Sequence, residues 1–198
     1  MFNVLMDKLP VEWNGYPIDA DFQIGIMISQ CMVDEELSDT ERIYTAIDLL
    51  YTDKEKAPVT LEEAIEGIKW FLNDWNHDNI PKSNKKEKQI VTMDFDVDQW
   101  RIYAAFKKQY GIDLNKDSMH FWVFMGLLTS LEDCNFTKVV SIREKKITSK
   151  MSKEEKESIR NAKDIYRIKK NTDSVETEEE KAERQEAIDA FNRLRGKS

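Results

Sequence analysis

Two cysteines, two histidines and six glycines are all that 198 residues hold of the types from which metal sites, disulfide frameworks and phosphate loops are usually built. Cys31 and Cys134 stand far apart, outside any CxxC or Cys/His spacing, so neither a disulfide framework nor a zinc site is indicated. His77 lies between Asp74 and Asp78 and His120 sits in an apolar stretch; neither has a second histidine at i+3 or i+4. Glycine-rich phosphate loops, GxSxG and HExxH are all missing. The expectation is a protein without catalytic residues, metal ligands or cofactors, with His120 a satisfied core histidine. Long apolar runs are missing too. None approaches the ~20 residues that cross a bilayer, and MFNVLMDKLP has no basic region followed by an apolar stretch of signal-peptide length. A soluble protein that stays in the reducing compartment where it is made is expected.

Charge is abundant and uneven. Charged residues make up 34 % of the chain and hydrophobic ones 40 %, with five Trp and nine Phe that a disordered chain rarely carries. Residues 1–80 hold 17 acidic and 5 basic side chains, residues 81–150 hold 9 and 13, and the remainder 12 of each, giving the net charge of −8. An acidic first third repels phosphate backbones, and the positive middle owes much to one lysine cluster in a loop. Neither nucleic acid nor membrane is therefore the expected partner.

What is present in quantity is helical periodicity. The densest part is DFDVDQWRIYAAFKKQYGIDLNKDSMHFWVFMGLLTSL, Asp94 to Leu131. At helical spacing Phe95, Ile102, Tyr103, Phe106 and Tyr110 share a face, while Asp98, Arg101, Lys107 and Lys108 fall largely away from it. Gly111 then closes the helix. A second helix, from about Asp117 to Leu131, is apolar on nearly every side and should be the most buried element. At roughly 2 kcal/mol per large apolar side chain, this pair carries much of the gross hydrophobic stabilisation.

Elsewhere the signals are more local. Asn14 and Gly15 between Val11, Trp13, Tyr16 and Ile18 predict a tight β-hairpin. Ile24, Met27, Ile28, Cys31 and Met32 predict a helix from Asp21. Ser38 with Glu41, and Thr60 with Glu63, read as capping boxes opening two more. The second of these runs through Leu61, Ala64, Ile65, Ile68, Phe71, Leu72 and Trp75. Residues 76–90 read as a loop, and Phe136, Val139, Val140 and Ile142 as a short helix. The expected fold is mainly α: a helical bundle with a small N-terminal β-hairpin over residues 1–147, followed by a charged, partly helical arm over 148–198. In the arm, capping boxes at Ser152 with Glu155 and Thr177 with Glu180 precede thin apolar stripes. Such stripes bury poorly on their own, so Ile159, Tyr166, Ile188 and Phe191 are the candidate partner-binding residues.

One apparent metal motif fails on its own spacing. Asp94, Asp96 and Asp98 alternate as at the start of a calcium-binding loop, but the sixth position is Gln99, where glycine is needed, and the twelfth is Ala105, where a bidentate Glu is needed. Carboxylates favouring the positive end of a helix explain the pattern.

The hairpin at Asn14 and Gly15, the segment DADFQ at Asp19 to Gln23, and the phrases DFDVDQWRIYAAFKKQYGIDL, MHFWVFMGLL and FTKVVSIRE together resemble the tail-assembly chaperones of long-tailed bacteriophages of Gram-positive hosts, encoded before the tape-measure gene. The resemblance spans about residues 1–145. It implies a protein of the host cytoplasm that keeps the tape measure protein soluble until tail tube protein polymerises around it, sometimes with a second chaperone product, and that is missing from the mature virion. Two other readings remain: a structural tail or connector component of the virion, and a nucleic-acid-binding regulator.

Overall fold

Asn14 and Gly15 take φ of 49° and 84°, the left-handed pair that lets a two-residue turn match the twist of its strands. They join β1 (Glu12–Trp13) to β2 (Tyr16–Pro17) in an antiparallel hairpin. The structure, a computed structural model, describes residues 2–76 and 91–168. Seven α-helices accompany the hairpin among these residues: α1 (Phe22–Val33), α2 (Asp39–Leu50), α3 (Leu61–Asn73), α4 (Phe95–Tyr110), α5 (Phe121–Thr129), α6 (Asn135–Glu144) and α7 (Lys153–Ile165). The protein is mainly helical, as its periodicity predicts.

Each helix start has a side-chain reason. Asp21 accepts the Gln23 N–H, Ser38 and Glu41 form the reciprocal box, and Asp94 accepts the N–H groups of Asp96 and Val97. At α3 only half of the expected box forms. Thr60 accepts the Glu63 N–H at 3.3 Å, but the Glu63 carboxylate instead receives the Tyr16 hydroxyl at 3.2 Å and so ties the hairpin to α3. Gly111, at φ 73°, ends α4 in the left-handed conformation.

Helix α5 is the hub. Phe124 stacks on Phe22 of α1 and on Phe106 of α4, with ring centroids 5.1 and 5.2 Å apart. Phe121 meets Phe71 of α3 at 5.2 Å. Trp122 meets Trp70 edge-on at 5.0 Å and donates its indole N–H to the Phe71 carbonyl at 2.7 Å. Tyr51, buried beside α3, donates to the Ala64 carbonyl at 3.5 Å, and burial pushes its pKa up to about 12. Aromatic pairs in these geometries add about 0.5–1.5 kcal/mol each to the burial they provide.

Two expectations about this region are corrected. Helix α5 starts at Phe121, not near Asp117. Residues just before it are held in a turn by the Asp113 N–H on the Asp117 carboxylate at 2.7 Å. They then pair in extended form with the start of α1, through Phe22 N–H to the Met119 carbonyl at 2.9 Å and Phe121 N–H to the Ala20 carbonyl at 2.8 Å. Asp98, placed by periodicity away from the core, is 0 % exposed. The predicted loop falls largely on residues 77–90, outside the described residues, as does the capping box at Thr177.

Gly25 marks the closest approach of α1 to α5. A methyl group there would overlap the Phe121 ring. Gly25→Ala is expected to lower stability by about 1–3 kcal/mol through overpacking, despite alanine's better helix propensity. Thermal or urea denaturation reads the sign directly.

Candidate partner-binding groove

Beneath the most exposed tryptophan of the fold lies an ion pair shut away from water. Asp98 is on α4 and Arg143 on α6, 0 % and 6 % exposed. The guanidinium grips the carboxylate with two N–H groups, Nη1 to Oδ2 at 2.6 Å and Nη2 to Oδ1 at 3.1 Å. Burial of two charges is costly unless every remaining donor and acceptor is used, and here nearly all are. Asp98 also accepts from Arg101 at 2.9 Å and from the Asp94 N–H at 3.2 Å. Arg143 donates to the Thr92 carbonyl at 3.0 Å and, through Nε, to the Tyr166 carbonyl at 2.7 Å. One guanidinium thus joins the lead-in to α4, the first turns of α4, α6 and the end of α7. Lys163 adds a bond from α7 to the Arg143 carbonyl at 2.8 Å.

On the outer side of the same two helices runs a groove of about 350 Å³. Its floor is Ala104 and Ala105, whose small side chains leave the space open. Trp100 stands at one end, 72 % exposed, with its ring edge-on to Tyr103 at 5.9 Å. Arg101, Lys108 and Lys138 line the walls against a single acid, Asp133, and Cys134 and Asn135 come from the start of α6. This lining carries three cations against one acid on a protein of net charge −8. It supplies shape, one large flat apolar face and cations, which suits binding of a polypeptide segment. Among the described residues no group of three or more His, Cys, Asp and Glu is arranged to hold a metal ion.

A family model described as Bacteriophage Gp15 protein matches residues 5–168, which includes every element from the hairpin to α7. The chain belongs to the bacteriophage Gp15 protein family. No curated protein and no solved structure matches it. Among the described residues of this Gp15-family protein, no helix is long and apolar enough to cross a membrane.

The two sequence-derived candidates among the described residues, Ile159 and Tyr166, lie outside this lining. Ile159, expected on an exposed strip, is 9 % exposed, because α7 folds back along α6 instead of projecting as an arm. Tyr166 is half-buried, with its carbonyl taken by Arg143 and its ring centroid 5.9 Å from the Arg101 guanidinium. Ile188 and Phe191 lie outside the described residues, and so does His77. Trp100 was missed by reading aromatics as core. The helical wheel offered a signal, since two positions from Asp98 and Ile102 puts Trp100 across the helix from both.

His120 is neither buried in mid-helix nor a ligand. It is the N-cap of α5: Nδ1 accepts the Trp122 N–H at 3.0 Å, leaving the ring proton on Nε2 to donate to the Pro10 carbonyl at 2.8 Å. Burial holds its pKa below the ordinary 6.5, and protonating Nδ1 would break the cap.

The two features give separate expectations. Asp98→Ala should cost about 3–5 kcal/mol, because it strands a buried guanidinium, whereas replacing Asp98 by Leu and Arg143 by Met together should cost less than that single change. Urea denaturation of both variants tests this; a double variant worse than Asp98→Ala would refute it. For His120 the neutral ring is favoured in the folded state, so its contribution is complete above about pH 6.5 and is lost as pH falls from there toward the lowered folded value. Between about pH 7.5 and pH 5.5 the His120→Asn variant, which keeps a capping acceptor, should lose less stability than the parent chain.

Proposed function

We propose that this protein is a tail-assembly chaperone that binds the tape measure protein and keeps it soluble until the tail tube polymerises around it. The observation that carries the reading is the groove between α4 and α6, with Trp100 exposed at its end and Lys108 and Lys138 on its walls, in a member of a phage protein family. A tape measure protein is a long helical polypeptide, and an amphipathic helix laid into a groove is a common way to hold such a chain. A single shallow groove gives a weak contact, and many copies along one long client give a strong but releasable one. The acidic surface of the first 80 residues, 17 acids against 5 bases, keeps the loaded complex dissolved. Tail tube protein and a second chaperone product are the further partners this role implies, and the site of action is the host cytoplasm.

Co-expression with the tape measure protein tests the role. The parent chain is expected to raise the soluble fraction of the client, and Trp100→Ala to lose most of that effect while its own thermal stability changes little, since the ring is largely in solvent. A client equally insoluble with and without the parent chain refutes the reading. Mass spectrometry of purified particles separates it from the alternative of a structural tail or connector component: stoichiometric copies in the mature virion would favour the latter.

A further inference from the structure

Apolar surface and charge are set apart along the groove. On α4, Trp100, Ala104 and Lys108 recur every four residues and stand in one row, with the tryptophan and the lysine about 12 Å apart along the helix axis. Val97, 41 % exposed, extends the row one turn beyond Trp100. The basic end is not neutralised. Among the described residues neither Lys108 nor Lys138 has an ion-pair partner, and Asp133 is the one acid in the lining. Beside the tryptophan, Arg101 and Arg143 share the single Asp98 carboxylate, so that pair of cations also carries more positive charge than its partner cancels.

We infer that the groove takes a negatively charged amphipathic helix of its client, with an apolar anchor on Trp100 and carboxylates two turns along it that meet Lys108 and Lys138. This rests on the proposed client-binding role of the groove and adds the chemistry that selects the segment. The register follows from the spacing. At a rise of 1.5 Å per residue, the distance from tryptophan to lysine is matched by occupant residues seven or eight positions apart, which lie on the same helix face. Apolar burial against the ring supplies most of the contact, whereas the exposed ion pairs, each weak by itself, decide which segment is accepted. Discrimination exceeds the strength of either pair, because an ammonium in place of a carboxylate turns attraction into repulsion. The acidic first third of the chain weighs little against this: none of its residues lines the groove, and exposed charges more than about 8 Å apart are largely screened at physiological ionic strength.

Titration of the isotope-labelled full-length chain with two synthetic alanine-based helical peptides tests this. One peptide carries Leu at i and i+4 and Glu at i+7 and i+8; the other carries Lys in place of both Glu. The Trp100 indole N–H cross-peak, identified by its loss in Trp100→Phe, follows occupancy. At physiological ionic strength the Glu peptide is expected to bind at least about fivefold more tightly than the Lys peptide. In a chain carrying Lys108→Glu and Lys138→Glu the preference should reverse while the same cross-peak still responds. Both lysines are exposed, and an unchanged circular dichroism spectrum verifies that the variant folds. Equal affinities, a preference that survives the charge reversal, or no binding of either peptide at millimolar concentration overturns the inference. Its failure is distinct from that of the chaperone reading: a tape measure protein still solubilised through Trp100 keeps that role and discards only the charge rule. A clear Glu-peptide preference beside an unsolubilised tape measure protein does the opposite, retaining the chemistry of the groove and discarding that client.

Discussion

The buried pair of Asp98 and Arg143 is the constraint on which the second half of the fold depends. Helices α4, α6 and α7 share few of the large aromatic contacts that bind α1, α3 and α5, and one guanidinium adds four hydrogen bonds to three partners there. A charge taken out of water favours only the arrangement that satisfies it. Directional bonds at 2.6 to 3.1 Å fix where α6 and the end of α7 sit relative to α4 in a way that apolar contact, tolerant of sliding, does not.

From that geometry the groove results. The Asp98 side of α4 is drawn against α6, which turns Trp100 outward and leaves the small side chains of Ala104 and Ala105 in the lining between the two helices. With bulkier residues there the space would be filled. With Asp98 alone removed, the stranded guanidinium would weaken that side of the helix pair, which the shared core of Ile102, Phe106 and Phe136 also joins. The end of α7 is held to the same helix pair by that guanidinium, through the Tyr166 carbonyl. The buried ion pair and the groove are thus two sides of one helix pair.

Aromatic density meant different things in the two halves of the molecule. In α5 it reported burial faithfully, since Phe121, Trp122, Phe124 and Leu128 are all in the core. In α4 the same reading concealed the exposed Trp100. Asp98 misled in the opposite direction: its place among helix-start carboxylates suggested solvent, and only its partner 45 residues away explains its burial. The apolar run around His120 reads as continuous in sequence, which suggests a core side chain. A cap is recognised by where the helix begins, and that was set by the extended pairing with residues at the start of α1.

What the sequence determined by itself was local. The left-handed turn at Asn14 and Gly15, the caps at Asp21, Ser38, Asp94 and Ser152, and the 3.6-residue stripes each depend on neighbours within a few positions, so the order of the helices was legible, though not where α5 begins. Tertiary structure decided which charged residues go inside, which tryptophan stays out and where α7 lies. Those outcomes rest on contacts between residues distant in the chain, such as Thr92, Asp98, Arg143 and Tyr166. The cost of burying a charge is offset only when all of its partners arrive together, and no local pattern records that.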